Sequence, residues 1–499
     1  MWLPDPAIVQ ADLPNPNFHS QTEIAPRPAE YMGQIRIQFP EHMQIDKALP
    51  ASIHVIGLDG IPMPCRILRE GLVISISRNR DESGHVYLAW PTDEWGDLVL
   101  VTGTLPESDT PIRVAIELAR GSANRLRNQI SNWQEGGLII PDGVNEMSGN
   151  ASSLLAKAVL ESSGSAAELA AIRANELAVH AIFELCRAFA EQVLPLRLQN
   201  QSAPRVWLGC RIDEGDSRAI ESLKIFDVLE SDSNNLPAGL AGKARILGPL
   251  MDASPGGLDD ELQSISQFED RRVRILDRAR EKLTAGGANA RIIHAVAGLN
   301  GIGHRMLSYP QQLQLSLDML QLVDECSIQT PVMISFDNPW GERLARSVGG
   351  NHPMLIADSL LRRGVRISML GLEINLDFSH RGSLARDPLQ WLDLLDMWGQ
   401  LGLPMLLLLR IPYGVMADEN SVRPGMQDSQ RLDLLKTVLP LILSRPAVHG
   451  VIWQQVQDKP DSRFPGGGLL DLTGKRKPVW DFLEEMHNSM TRSVADQTA

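Results

Sequence analysis

The chain has 499 residues, 43% of them hydrophobic, and a formal net charge of −14 from 47 basic and 61 acidic side chains. That length exceeds one ordinary core and predicts two or three domains. The acidic balance, with no Lys/Arg run, argues against sequence-independent nucleic-acid binding, which needs clustered cations facing phosphates. The longest apolar runs fall short of the roughly 20 residues that span a bilayer, so no membrane partner is expected.

Residues 1–32, rich in Pro and Asn, read as an irregular arm. The opening MWLPDPAIVQADLPNP lacks the basic start and apolar segment of a secretory signal, so a cytoplasmic protein is expected. Over 33–115 short alternating segments follow one another: QIRIQF, SIHVIGL, GLVISIS, HVYLAW and DLVLVTG. Turn residues separate them, which predicts a small antiparallel β-sandwich. Its few aromatics, Tyr87, Trp90 and Trp95, favour a structural role over a carbohydrate-binding one.

Over 116–203 the period becomes helical. IRVAIELARGSANRLRNQISNWQ and the alanine-rich SAAELAAIRANELAVHAIFELCRAFAEQVLPLRLQ predict a helical hairpin. From 204 to 490 strands and helices alternate. Strands are expected at 205–212, 223–229, 244–252, 291–298, 331–337, 365–374, 404–411 and 449–456, with a short tail over 491–499. Eight βα units over nearly 290 residues predict a (β/α)8 barrel, with an open doubly wound sheet as the rival. PMLLLLRIP, four leucines between prolines, is the seventh strand.

Active sites of such barrels lie at the C-terminal ends of the strands. The polar residues there are Asp213 and Glu214, Glu230, Asp252, Asn300 and His304, then Asp337, Asn338, Trp340 and Glu342. Glu373 and Asn375, Arg410 and Tyr413, and Trp453, Gln454, Gln455 and Asp458 complete the set. Carboxylates and amides bind hydroxyls in both directions and aromatic faces stack on sugar rings, so a carbohydrate ligand is expected. Glu373 and Asp337 end adjacent strands, which lie ~4.8 Å apart, and form the candidate carboxylate pair. Glu342 is an alternative partner for Glu373, and Trp340, Trp453 and Tyr413 are candidate stacking platforms.

GVIWQQVQDKPDSRFPGGGLLDLTGKRKPVWDFLEEM closely resembles the end of glycoside hydrolase family 10, the xylanase family. The matching features are Trp453, Asp458-Lys459, Gly466-Gly467-Gly468, Leu469-Leu470-Asp471 and Lys477-Pro478-Val479-Trp480. Upstream, RRGVRISMLGLEIN is similar to the strand-6 region of that family, and FDNPWGE stands at its strand-5 position. ELARGSANRLRNQ, GPLMD, AGLN, FDNPWGE and GLEIN together resemble a divergent bacterial subgroup of family-10-like barrels. The resemblance implies O-glycoside hydrolysis without a cofactor. It also implies a general-acid Glu after strand 4 and a nucleophilic Glu after strand 7. Here the strand-4 counterpart is His294-Ala295-Val296-Ala297-Gly298-Leu299 and the strand-7 counterpart is Leu408-Leu409-Arg410-Ile411, and neither supplies a carboxylate. Two readings follow: a glycosidase with a relocated pair, Glu373 with Asp337 or Glu342, or a barrel that binds carbohydrate without chemistry. In both, Asn338, Asn375, Asn300, Arg410, Gln455 and Asp458 join the aromatics as ligand contacts.

Other chemistry is weakly supported. Gly298, Gly301 and Gly303 follow a strand, but as GxxGxG rather than the dinucleotide fingerprint. The four cysteines (Cys65, Cys186, Cys210, Cys326) show no CxxC and no close His, so neither a zinc site nor a disulfide framework is expected. His294, His304, His352 and His380 lack HxH or HExxH spacing, and no GxSxG elbow is present.

Overall fold

A computed structural model describes residues 33–495, apart from 47, 162, 201, 203, 214–221, 233–235, 237, 241, 255, 301–306, 327–328, 347–350, 377–381, 414–425 and 461. Of the residues singled out above, Glu214, Gly301, Gly303, His304 and His380 lie outside the described set.

Eight strands open the described chain: β1 Gly33–Gln38, β2 His54–Gly57, β3 Pro62–Met63, β4 Cys65–Glu70, β5 Val73–Arg78, β6 Gly84–Thr92, β7 Gly96–Leu105 and β8 Ser108–Arg113. They form two four-stranded sheets, β4-β5-β1-β8 and β3-β2-β6-β7. The register follows the alternation of the sequence. In β1, Ile35 and Ile37 face the core opposite Ile76 and Ile74 of antiparallel β5, while the intervening Gln and Arg remain half-exposed. The PMPCRILRE stretch, not expected as strand, supplies β3 and β4.

The connecting segment is three helices, not a hairpin: α1 Val114–Glu135, α2 Asp142–Leu160 and α3 Gly164–Gln199. Small residues of α3, among them Ala167, Ala171, Ala174 and Ala178, are fully buried and allow close helix packing. Ser122 Oγ donates to Asn175 Oδ1 at 2.8 Å between α1 and α3. Gly121 lets α1 lie directly on β7, where any Cβ would meet the Val101 carbonyl oxygen.

Nine further strands close into a parallel barrel: β9 Trp207–Arg211, β10 Val228–Ser231, β11 Ala244–Leu247, β12 Met251–Asp252, β13 Ile292–Leu299, β14 Val332–Asp337, β15 Met369–Asn375, β16 Met405–Arg410 and β17 Val448–Trp453. β11 and β12 are two halves of the third strand, interrupted at Gly248-Pro249, and both pair with β13. β17 pairs with β9 and completes the circle, which excludes the open-sheet rival. The second strand is Val228–Ser231 rather than 223–229, because Ser222–Ile225 coils into a 3-10 turn before it. Helices α4 Phe268–Gly286, α5 Tyr309–Glu325, α6 Pro353–Arg362, α7 Pro388–Gly399, α8 Asp428–Leu443 and α9 Pro478–Ala495 surround the barrel.

The barrel interior below the site is filled by Val228, Ile246, Ile292, Met333, Met369, Leu406, Leu408 and Ile452. Leu407 and Leu409 belong instead to the cluster shared with the helical ring. Side chains of successive strand residues alternate between the two faces, so LLLL serves both layers at once. Beyond the barrel's top, Val99 N–H of β7 donates to Ala385 O at 2.7 Å, and Arg125 of α1 forms a bidentate pair with Asp387 at 2.8 and 3.0 Å. The N-terminal sheets, the helices and the barrel therefore pack as one body.

Candidate active site

A cleft of about 650 Å³ opens at the C-terminal end of the barrel. Arg211, Asp252, Glu373, Arg410, Gln454, Arg463 and Phe464 are among the residues that line it. Its floor is a chain of hydrogen bonds that crosses the barrel. Glu230, fully buried, is 2.6 Å from His294 Nδ1 and accepts from Gln454 Nε2 at 2.7 Å. His294 Nε2 lies 2.8 Å from Ser335 Oγ, and the Ser335 hydroxyl donates to Glu373 Oε1. The inward alternation of the strands explains this set: Ser335 stands two residues before Asp337, on the same face.

Burial disfavours ionisation of Glu230, but the hydrogen bond and charge of His294, with Arg211 and Gln454, outweigh it and carry this carboxyl down to about 2. Glu373 is moved the other way. Burial pushes its pKa up, and the nearby Asp252 and Asp337 add to the rise, against Arg410 and the Ser335 hydroxyl. Its immediate partners are neutral: Ser335 and the Gly298 N–H, the latter donating at 2.7 Å.

Asp252 shares the cleft with Glu373. Its Oδ1 accepts from Ser254 N–H at 2.9 Å, and Arg463 stands 3.9 Å from Oδ2. A Cβ on Gly298 would lie 2.9 Å from Asp252 Oδ1. One residue thus separates the two carboxylates, which keeps their nearest oxygens within about 8 Å of each other.

Asp337 is the register partner of Glu373 on the neighbouring strand, as its position in the sequence predicts. It is buried and does not line the cleft. Arg343 lies 3.5 Å from it, and Asn375 Nδ2 donates to it at 3.2 Å. Burial pushes Asp337 up, opposed by Arg343 and Arg463. Asn375 turns its carbonyl oxygen to Arg410, which donates at 3.0 Å. Gln455 lines the cleft and accepts from Ser462 at 3.2 Å.

Several expected contacts stand elsewhere. Glu342 is half-buried at the seam with the N-terminal sheets, its carboxylate oxygens covered and 3.8 Å from Arg386. Burial raises its pKa, but Arg386 and His54 more than offset this and hold it low, as suits an ion-pair member. Trp340 lies there too, beneath the Arg386 guanidinium and edge-on to Trp391. Trp453 is 1% exposed, faces outward from the barrel, and donates its indole N–H to Gly467 O at 2.8 Å. Tyr413 is 2% exposed in the same core. None of the three aromatics lines the cleft, so the expectation of stacking platforms is corrected: strand alternation turns Trp453 away, and the other two are consumed in packing. The aromatic ring that does line the cleft is Phe464, held between Arg410 at 4.6 Å and Arg463 at 5.0 Å.

Asp458 is paired with buried Lys477 at 2.7 Å and accepts from Gly468 N–H at 2.9 Å, which pins the glycine loop. Asn338 adopts φ 56° and closes the turn after β14, with Arg343 N–H donating to its side chain at 3.3 Å. Asn300 is buried at the end of β13. On the seventh strand the residue that faces the cleft is Arg410, because Leu409 points to the helical ring. Asp252 is among the strand-end residues of the sequence, but its pairing with Glu373 depends on the two-part third strand, which GPLMD does not reveal. Arg211 ends β9, although the polar residues expected after that strand are Asp213 and Glu214, and Arg463, which follows β17, carries no strand-end signal.

No protein-family model matches the chain, and no curated protein matches it in sequence. Among solved structures, the fold is similar to that of xylanase 10B from Thermotoga maritima, at 12% identity and a TM-score of 0.41, over 59% of this chain and 97% of that one. It is also similar to a family 10 endoxylanase from a sugarcane soil metagenome, at 11% identity and a TM-score of 0.42, over 58% and 98%. A third is a β-D-glucuronidase from Dictyoglomus thermophilum, at 11% and 0.39, over 88% and 64%. The barrel assignment rests on the closed strand order and not on these likenesses. No helix among the described residues is long and apolar enough to cross a membrane.

Proposed function

We propose that the chain is a carbohydrate-active barrel protein that hydrolyses an O-glycosidic bond with a relocated carboxylate pair. The observation that carries this reading is Glu373 and Asp252 facing one cleft on either side of Gly298. Glycosidase pairs stand roughly 5–9.5 Å apart, and the upper bound of about 8 Å set by Gly298 keeps the two carboxylates inside the outer limit of that range. Glu373, whose pKa burial raises, keeps its proton near neutrality better than an ordinary glutamate and acts as the general acid. It protonates the glycosidic oxygen as the bond to the anomeric carbon breaks. Asp252, held by Ser254 and Arg463, is the partner that either attacks the anomeric carbon or takes a proton from the attacking water. Asp337, engaged with Arg343 and Asn375, positions rather than reacts.

The test is release of reducing ends from xylo-, gluco- and manno-oligosaccharides by the wild type, Glu373→Gln and Asp252→Asn. Turnover that falls by about 10²–10⁴ in each variant is expected. Turnover unchanged in Asp252→Asn would remove Asp252 from the pair. A second reading, sugar binding without hydrolysis, is favoured by Leu299 and Leu409 standing where the resembling family supplies carboxylates. Oligosaccharide binding by calorimetry with no turnover would select it.

A further inference from the structure

Most cations around the cleft face carboxylates. Arg211 meets Asp232 at 3.0 Å, Asp213 at 3.7 Å and Glu230 at 3.9 Å. Arg463 meets Asp252, Arg278 meets Asp259, and Lys459 meets Asp213. Arg410 is different. Its guanidinium donates to two neutral amides, Asn375 Oδ1 at 3.0 Å and Gln454 Oε1 at 3.4 Å, and lies over the Phe464 ring. Among the described residues no carboxylate stands within 4.0 Å of it.

The two amides are not free to turn. Asn375 is oriented from behind by Asp337, and Gln454 by Glu230, each amide N–H donating to a carboxylate. Their oxygens are thereby fixed toward Arg410. A guanidinium carries five N–H donors in a rigid fork, and the two amides accept one each. Taking a cation out of water is costly unless a counter-charge arrives. Burial depresses the Arg410 pKa; Glu373 and Asp252 oppose this from beyond contact distance, while the like charges of Arg211 and Arg463 add to it. Next to it, Glu373 is the mirror case, a carboxyl held by neutral donors.

Resting on the carbohydrate reading above, we propose that Arg410 is the receptor for an oxyanion carried by the ligand, so that the cleft takes a charged sugar, a uronosyl residue or a sugar phosphate, in preference to a neutral one. The fork completes its hydrogen bonds on the oxyanion, while Phe464 holds its plane and Glu373 remains for the chemistry beside it.

The test is calorimetry on the full chain with four probes: a glucuronate-bearing xylo-oligosaccharide, the same compound with its carboxyl reduced to the alcohol, glucose 6-phosphate, and inorganic phosphate. Wild type is compared with Arg410→Gln and with Arg410→Lys, which keeps the charge and loses the fork. The acid is expected to bind at least about tenfold tighter than its reduced form, with the preference gone in Arg410→Gln and partial in Arg410→Lys. Arg410-dependent binding of glucose 6-phosphate in place of the acid supports the receptor with phosphate as the source. Arg410-dependent binding of inorganic phosphate with no saccharide bound supports the receptor and sinks the carbohydrate reading. Equal affinity for the acid and reduced forms overturns the receptor and leaves the carbohydrate reading intact. No Arg410-dependent binding of any probe also overturns it.

Discussion

Glu230 and Glu373 are joined by two bridging side chains, yet they are driven in opposite directions. Glu230 has cationic and amide donors around it, and Glu373 has a hydroxyl, one backbone N–H and two neighbouring carboxyls. Their linkage to stability is opposite in sign. The contribution of Glu230, depressed to about 2, is present above its unfolded value of about 4.3 and is lost as pH falls toward the folded one. Glu373, raised, contributes fully below its unfolded value, and that contribution is lost as pH rises through the folded one. At neutral pH it therefore stands as a cost to the fold. Glu373→Gln keeps an acceptor for Ser335 and Gly298 and is expected to gain about 0.5–2 kcal/mol at pH 7, by denaturant midpoint, with the gain shrinking below pH 5. A loss of stability at pH 7 would show that the ionised form is favoured in the fold. Glu373 itself was legible in the sequence as a carboxylate ending a strand. The direction of its pKa was not, since that depends on Ser335, Gly298 and Asp252 arriving from three other strands.

Among the elements, β13 sets the geometry of the site through one residue. Gly298 has φ +75°, a conformation that suits glycine, and an added Cβ would fall 2.5 Å from Ser254 Cβ and 2.6 Å from Ser254 N. Backbone lies close on that side, so relief requires the third strand to move. Gly298→Ala is expected to cost about 1–3 kcal/mol and to lower turnover or oligosaccharide affinity by displacing the N–H from Glu373. Urea unfolding read beside ligand titration would measure both, and an unchanged midpoint would mean that the β12 segment yields freely. The barrel strands were readable because apolar runs between helical stretches repeat eight times. The edges were less so. The 3-10 turn at Ser222–Ile225 shifts the second strand from its expected place, and the third, expected as one strand, forms two. Trp453 illustrates one cause: an aromatic at a strand end looks like a ligand contact, and a single step of alternation turns it into the core.

Across the whole molecule, the seam between the N-terminal part and the barrel is charged as well as apolar. Asp387 caps α7, accepting from Gln390 N–H at 3.1 Å, and its carboxylate is held by the Arg125 fork. Burial opposes the charge on Asp387, but Arg125 and the Gln390 bonds overcome that and keep its pKa low. Gln390 in turn reaches β7, donating to the Val99 carbonyl. Arg125→Met leaves a buried carboxylate unpaired and is expected to cost about 3–5 kcal/mol. The loss should appear as one cooperative transition at lower denaturant, without an early separate step for the sheets. Two resolved transitions would show that the parts fold independently.

Arg386 and Asp387 lie in the barrel sequence, yet they are spent on Tyr87 and Arg125 of the N-terminal part. A barrel that commits such residues to its appendage has given up portability. Moving residues 204–490 alone would leave the Asp387 carboxylate without Arg125 and the Arg386 guanidinium without the Tyr87 ring. The unit that keeps these buried groups covered is therefore the joined assembly of sheets, helices and barrel, and the cleft is carried by that larger unit.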